Sequence, residues 1–292
     1  MRSIPDDLLA APFTAAMAAA RGVTPQQLRG GRVRRLFHGV FVGAHVEVTP
    51  EVLAIGIALV LPPGAVVSHS TAALFEGADV RTWRDNNVYV TTLRLSQLRR
   101  PGIVATAAYL EEGDVCIKHG IPMTSPSRTA FDLARQRDLI ERVVGIDAML
   151  NRGGVKLPDL AAYVADRPAW RGIRWAREAL TYAEPKSQSP METRQRMQFI
   201  LAGLPRPVAQ HPVYAGGVLI AELDNSFPEF KVGTDWDGKP HAETWLADTE
   251  RQAKIHLEEW WHRRYTKLSI ASGWESMINE VRTALLFRGW RP

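Results

Sequence analysis

At 292 residues and 32.5 kDa the chain is too long for one ordinary domain, and its 46% hydrophobic and 23% charged residues exclude disordered, collagenous and disulfide-scaffold classes. No apolar run approaches the ~18 residues of a bilayer-spanning helix, Val52 to Leu61 before Pro62-Pro63 being the longest, so no membrane partner is expected. The single Cys116 forms no internal disulfide and Asp6-Asp7 sits where a secretory peptide needs apolar residues, which points to the cytoplasm, while a net charge of +5 with 29 Arg against 7 Lys admits nucleic acid as a partner.

In chain order, Thr14 to Arg21 is Ala-rich and helical by propensity, Gly22 ends it, and Thr24-Pro25 offers an N-cap and first-turn proline for a short second helix through Leu28. Gly30-Gly31 breaks the chain before Arg32 to Val42, a basic strand pattern interrupted by Gly39. Two helices and a basic β-wing predict a winged helix over residues 1–45. The middle, 46–185, alternates helices (Val52 to Leu61, Ser70 to Phe75, Thr129 to Ala134, Leu139 to Leu150, Leu157 to Val164, Gly172 to Ala183) with short strands (Val66-Val67, Asn87 to Thr92, Gly102 to Ala108, Asp114 to Met123). The polar, Pro-bounded segment Glu184 to Pro190 marks a boundary. Beyond it, over 186–292, a helix from Met191 to Leu204 precedes strands near Val213-Tyr214, Val218 to Leu223 and Phe230 to Trp236. A helix from Thr244 to Trp261, a strand near Thr266 to Ile270 and a helix from Glu275 to Phe287 complete the order. The expected class is α/β (α+β) and multidomain. Six of the nine Trp fall in the last 57 residues and are read as core around a small sheet.

The charge is unevenly placed. Residues 1–45 carry six arginines against Asp6 and Asp7, whereas the chain from Ser189 onward is neutral with 13 basic and 13 acidic residues. Arg32, Arg34 and Arg35 on the wing are therefore the expected phosphate contacts on double-stranded DNA, and Gln26, Gln27 and Arg29 lie where a recognition helix would meet base edges.

Behind the boundary the polar chemistry gathers at Asp224, Asp235, Asp237 and His241, with Glu192 upstream. Asp235 and Asp237 share strand parity, and a hairpin closed by Pro228-Glu229 lets Asp224 converge with them. Converging hard oxygen ligands are what Mg²⁺ or Mn²⁺ needs to activate water and stabilise charge in phosphodiester hydrolysis, with Asp224 and Asp235 as metal ligands. His241 is a candidate acid, base or phosphate contact. Two roles stay open for Glu192, since Ser189-Pro190-Met191-Glu192 also reads as a capping box, and Asp224 before Asn225-Ser226 also reads as a turn residue.

The stretch LDNSFPEFKVGTDWDGKPH, preceded by SPMETRQRMQFILAGLPRP and followed by Asp248 and Arg251, resembles the Vsr-like branch of the PD-(D/E)XK nuclease superfamily over roughly Ser189 to Trp274. The resemblance implies a restriction-endonuclease-like mixed sheet flanked by helices. It places the family's motif on Glu192, Asp224, Asp235, Trp236, Asp237, Gly238 and His241. Asp235 stands where Glu is commoner, one methylene shorter, and Asp237 where the superfamily has lysine, with Lys239 two residues on as a substitute. Ahead of it, PFTAAMAAARGVTPQQLRGGRVRRLFHGVFV resembles the winged helix of the AbiEi family of type IV antitoxins, and SHSTAALFEGADV and HGIPMTSPSRTAFDLA resemble its following domain. That resemblance implies DNA binding and neutralisation of a nucleotidyltransferase toxin. Two functions are thus expected as alternatives: a metal-dependent DNA endonuclease, or a non-catalytic repressor or antitoxin on a degenerate nuclease fold.

Overall fold

The structure, a computed structural model, describes residues 4–81, 85–93, 101–237, 245–271 and 273–292, with the backbone alone described from 245 to 248. It is a mixed α/β, multidomain fold, and the chain divides into two compact units: residues 1–133 with 152–166, and residues 134–151 with 167–292. Among the described residues no helix is long and apolar enough to cross a membrane.

Unit one opens with α1 (Asp6–Leu9), β1 (Phe13–Thr14), α2 (Ala15–Ala20), a single 3₁₀ turn at Gln27–Arg29, then β2 (Val33–Phe37) and β3 (Val40–Gly43). The strands pair antiparallel in the order β1-β3-β2. Thr14 caps α2 through its side chain, and Gly39 turns β2 into β3 with φ 72°. The expected second helix shrinks to one 3₁₀ turn.

The remainder of unit one comprises α3 (Pro50–Ala58), β4 (Val66–Val67), α4 (His69–Phe75), β5 (Val88–Thr92), β6 (Ile103–Ala107), β7 (Val115–Lys118), β8 (Ile121–Thr124), α5 (Pro126–Leu133) and, later in the chain, α7 (Leu157–Ala165). Its sheet runs β6-β5-β4-β8-β7. The single strand expected from Asp114 to Met123 is instead a tight hairpin, turned by His119 and Gly120 at positive φ. The boundary expected at 45 falls inside one hydrophobic cluster, because Leu36, Phe37, Val40 and Val42 of β2 and β3 pack with Ile57, Val67, Val90 and Met123.

Unit two holds α6 (Leu139–Arg152), α8 (Ile173–Leu180), α9 (Pro190–Leu201), β9 (Val208–Ala215), β10 (Val218–Phe227), β11 (Val232–Trp236), α10 (Trp245–Leu257), β12 (Trp261–Tyr265) and α11 (Glu275–Phe287). The boundary expected at 185/186 lies within it. Asp147 on α6 is buried and accepts from Arg196 Nη2 at 2.6 Å, Thr193 Oγ1 at 2.9 Å and the Glu184 amide at 2.7 Å, so α6 packs with the C-terminal elements. The sheet order is β12-β11-β10-β9, antiparallel except for the parallel pair β11 and β12. Gly216-Gly217, both at positive φ, close the β9–β10 hairpin.

Two expected elements move. The strand read near Thr266 to Ile270 lies earlier, at Trp261–Tyr265, and α10 stops at Leu257 because Glu259 takes φ 65° and frees the following residues to pair with β11. Trp236, Trp260, Trp261, Trp274 and Trp290 join the hydrophobic clusters of this unit, as core residues.

Candidate functional site

The carboxylate cluster is built from the sheet of unit two upward. Asn225 pairs with Thr234 across β10 and β11, which sets Asp224 opposite Asp235. The two acids are tied to each other's strands: the Asp224 amide donates to Asp235 Oδ1 at 3.2 Å, and the Trp236 amide donates to Asp224 Oδ2 at 2.6 Å. Asp224 is therefore a strand residue, and the turn reading fails because Asn225 and Ser226 continue the ladder to a 3₁₀ turn at Pro228–Phe230. Alternation turns Asn225 and Thr234 the other way, where both donate to the side-chain Oε1 of Gln195 on α9 at 3.0 and 3.1 Å. Those bonds dock α9 on the sheet. On the opposite face Gly233 leaves room for Leu223, which packs with Ile255 and Trp260, since a Cβ there would lie 2.4 Å from Leu223 Cδ1.

Glu192 enters from the first turn of α9. Ser189 Oγ accepts from the Glu192 amide at 3.2 Å, and Glu192 Oε2 accepts from the Gln188 amide at 2.8 Å, so the helix start is capped reciprocally. The same Oε2 accepts from Gln210 Nε2 at 3.0 Å, and that nitrogen also donates to Asp224 Oδ1 at 3.1 Å. Glu192 thus caps its helix and joins the cluster at once. Gln210, on β9, holds φ 49°, a costly conformation for a non-glycine residue.

The electrostatics separate the three acids. Burial, and then the like charges of Glu192 and Asp235, push the Asp224 carboxyl up to about 7. Burial raises Glu192 as well. For Asp235 burial is the largest influence and would raise it, yet His262 and Arg251 together hold it below the usual carboxylate range. His262 is almost wholly buried, with Nε2 3.1 Å from Asp235 Oδ2, and Arg251 Nη2 donates to the same oxygen at 2.9 Å. Asp237 has different partners: its amide donates to Tyr265 O at 2.8 Å and its Oδ2 accepts from Arg264 Nη2 at 2.9 Å. Asp224, Asp235, Asp237, Arg251 and Arg264 line one polar cleft of about 350 Å³. Gly238, Lys239 and His241 lie outside the described residues, as does the side chain of Asp248.

The donor set suits a hard divalent cation. Mg²⁺ is commonly held by one or two carboxylates together with water and substrate phosphate, and Asp224 with Asp235 offers that pair in a place where negative charge is in excess. Among the described residues no group of three or more His, Cys, Asp or Glu is arranged to hold a metal by itself.

On unit one, Gln26, Arg29, Arg34 and Arg35 are exposed. Gln27 is engaged locally, its side-chain oxygen accepting from the Thr24 amide at 2.8 Å in a capping box. Arg32 donates to Asp6 at 2.8 Å and Arg21 to Asp7 at 2.7 Å, so the two aspartates of this region each neutralise one arginine. Arg34 and Arg35 remain side by side on β2, with the Arg35 guanidinium 5.7 Å from the Phe41 ring centre.

Two residues of the site, Gln210 and His262, escape sequence reasoning. A glutamine in a strand has no motif to betray it, and His262 lacks metal-ligand spacing, its place coming from the parallel pairing of β12 with β11. Arg251 stands beside the motif with no role that the sequence assigns to it.

No protein-family model matches the chain. Two similar proteins, each named only as an uncharacterized protein, come from Mycobacterium tuberculosis strains CDC 1551 and ATCC 25618. Each is 26% identical over 237 residues, covering 80% of this chain and 85% of its own length. That alignment is longer than either unit, so it takes in parts of both.

Proposed function

We propose that this is a cytoplasmic DNA-binding protein whose second unit hydrolyses DNA phosphodiesters with Mg²⁺ or Mn²⁺. The observation that carries the reading is the Asp224–Asp235 pair, each acid fixed by the other's strand and joined to Glu192 through Gln210. Asp224 and Asp235 would hold the cation, which when bound polarises a phosphate oxygen and makes water a better nucleophile. Gln210 keeps Glu192 and Asp224 in register. His262 fixes the orientation of Asp235, and Glu192 or His241 handles the proton. Arg34 and Arg35 on the wing bind duplex phosphates, and the exposed Arg29 and Gln26 add contacts of their own. The test is plasmid nicking by the purified full chain with Mg²⁺ or Mn²⁺ against EDTA. Cleavage above the Asp224→Ala background supports the reading, and its absence with an intact gel shift overturns it.

A second reading draws on a different observation: all four oxygens of Asp224 and Asp235 already accept hydrogen bonds from the protein, and Arg251 supplies a cation covalently. On that reading the unit is a non-catalytic scaffold in a repressor or antitoxin, with a nucleotidyltransferase toxin as partner. Gel-shift binding without cleavage, together with relief of such a toxin's growth arrest on co-expression, would favour it.

A further inference from the structure

A cleft floored by Asp224, Asp235 and Asp237 repels phosphate unless a cation stands in it. Arg251 of α10 is one such cation. Its guanidinium has five N–H donors in a rigid fork matched to phosphate oxygens. Nη2 alone serves the protein, donating to Asp235 Oδ2 at 2.9 Å and to the Glu222 carbonyl at 3.1 Å. Nε and Nη1 make no hydrogen bond to the described residues, and the side chain is 37% exposed where it lines the cleft. A residue serving only to neutralise Asp235 has no need of a solvent-facing edge.

We propose that Arg251 is a phosphate-binding residue: the unused donors of its fork grip a non-bridging oxygen of a nucleic-acid phosphodiester, while Nη2 stays on Asp235. The proposal rests on the nuclease reading of the same cleft and specifies what the cleft recognises, which is the backbone and not the bases. Arg264, paired with Asp237 on the same cleft, adds to the positive potential.

The competing role, neutralising Asp235, is removed by working in an Asp235→Asn background. The full chain carrying Arg34→Ala/Arg35→Ala, so that the wing does not mask the cleft, is titrated with a 30-base-pair duplex in EDTA and in Ca²⁺ at several salt concentrations. Adding Arg251→Ala to Asp235→Asn should weaken binding about tenfold and flatten the slope of log affinity against log salt by about 0.9. Arg251→Lys should restore the slope and only part of the affinity. Arg251→Gln, which keeps a donor for Glu222 O, serves if the alanine variant melts early. An unchanged affinity and slope overturns the proposal, even where wild type cleaves DNA. A flattened slope in a protein that never cleaves leaves the phosphate contact standing and sinks the nuclease reading.

Discussion

Each unit buries a cluster of carboxylates, Asp114 with Asp132 in unit one and Glu192, Asp224 and Asp235 in unit two, and the two clusters are treated in opposite ways. In unit one Arg128 of α5, fully buried, donates to Asp114 at 2.6 Å, to both oxygens of Asp132 at 3.0 Å and to Tyr109 O, and Tyr163 of α7 closes the set on Asp114. One cation meets two anions through good geometry, and the neighbouring acids raise the arginine although burial opposes them. In unit two Arg251 and His262 sit on Asp235, Glu192 and Asp224 meet no cation among the described residues, and Asp224 is pushed up to about 7. The first arrangement ties α5, α7 and the β7 edge together, and the second holds a surplus of negative charge beside a cleft. Compensated burial makes a structural ion pair, whereas a surplus of buried negative charge beside a cleft is the arrangement on which the proposed chemistry rests.

The largest effect expected is on turnover. Asp224→Ala should lower metal-dependent cleavage by at least about 10²-fold, more than removal of an outer-shell partner costs, while the gel shift persists. Arg128→Ala should do the reverse. It strands two buried carboxylates, costing unit one about 3–5 kcal/mol by denaturant titration, with no direct effect on the cleft. Equal damage by both variants to both properties would erase the contrast.

The pH dependence sharpens it. Asp224 is higher in the folded chain, about 7, than its ordinary 3.8, so its ionisation opposes folding. Stability is undiminished below the lower value, falls as pH rises between the two, and stays reduced above about 7. Asp224→Asn should therefore stabilise the protein at pH 8, on the order of 2–4 kcal/mol, and leave it nearly unchanged at pH 4. Melting curves with the same difference at both pH values would remove the claim of surplus charge. The smallest effect is expected on β2, where Arg34→Ala/Arg35→Ala should flatten the salt dependence of duplex binding by about 0.9 for each phosphate that these arginines no longer neutralise. An unchanged slope would take DNA away from this face.

Much of the site is readable in the sequence because its logic is local. Asp224 and Asp235 sit eleven residues apart around a Pro-Glu turn, a separation that a hairpin converts into apposition, and Ser189 with Glu192 announces a helix start. The charge of residues 1–45 is readable only as a total. Which arginines keep that charge depends on Asp6 and Asp7, whose pairing with Arg32 and Arg21 requires the folded N-terminus.

Most of the helices, several of the strands and the pairing of the two acids follow from periodicity, caps and turn chemistry, which act over a few residues. Unit membership and the second half of the site do not. Asp147 finds Arg196 across 49 positions, Gln210 finds Glu192 across 18, and His262 finds Asp235 only because β12 lies parallel to β11. These contacts join elements whose approach is set by burial of whole faces, and no local pattern encodes which faces meet.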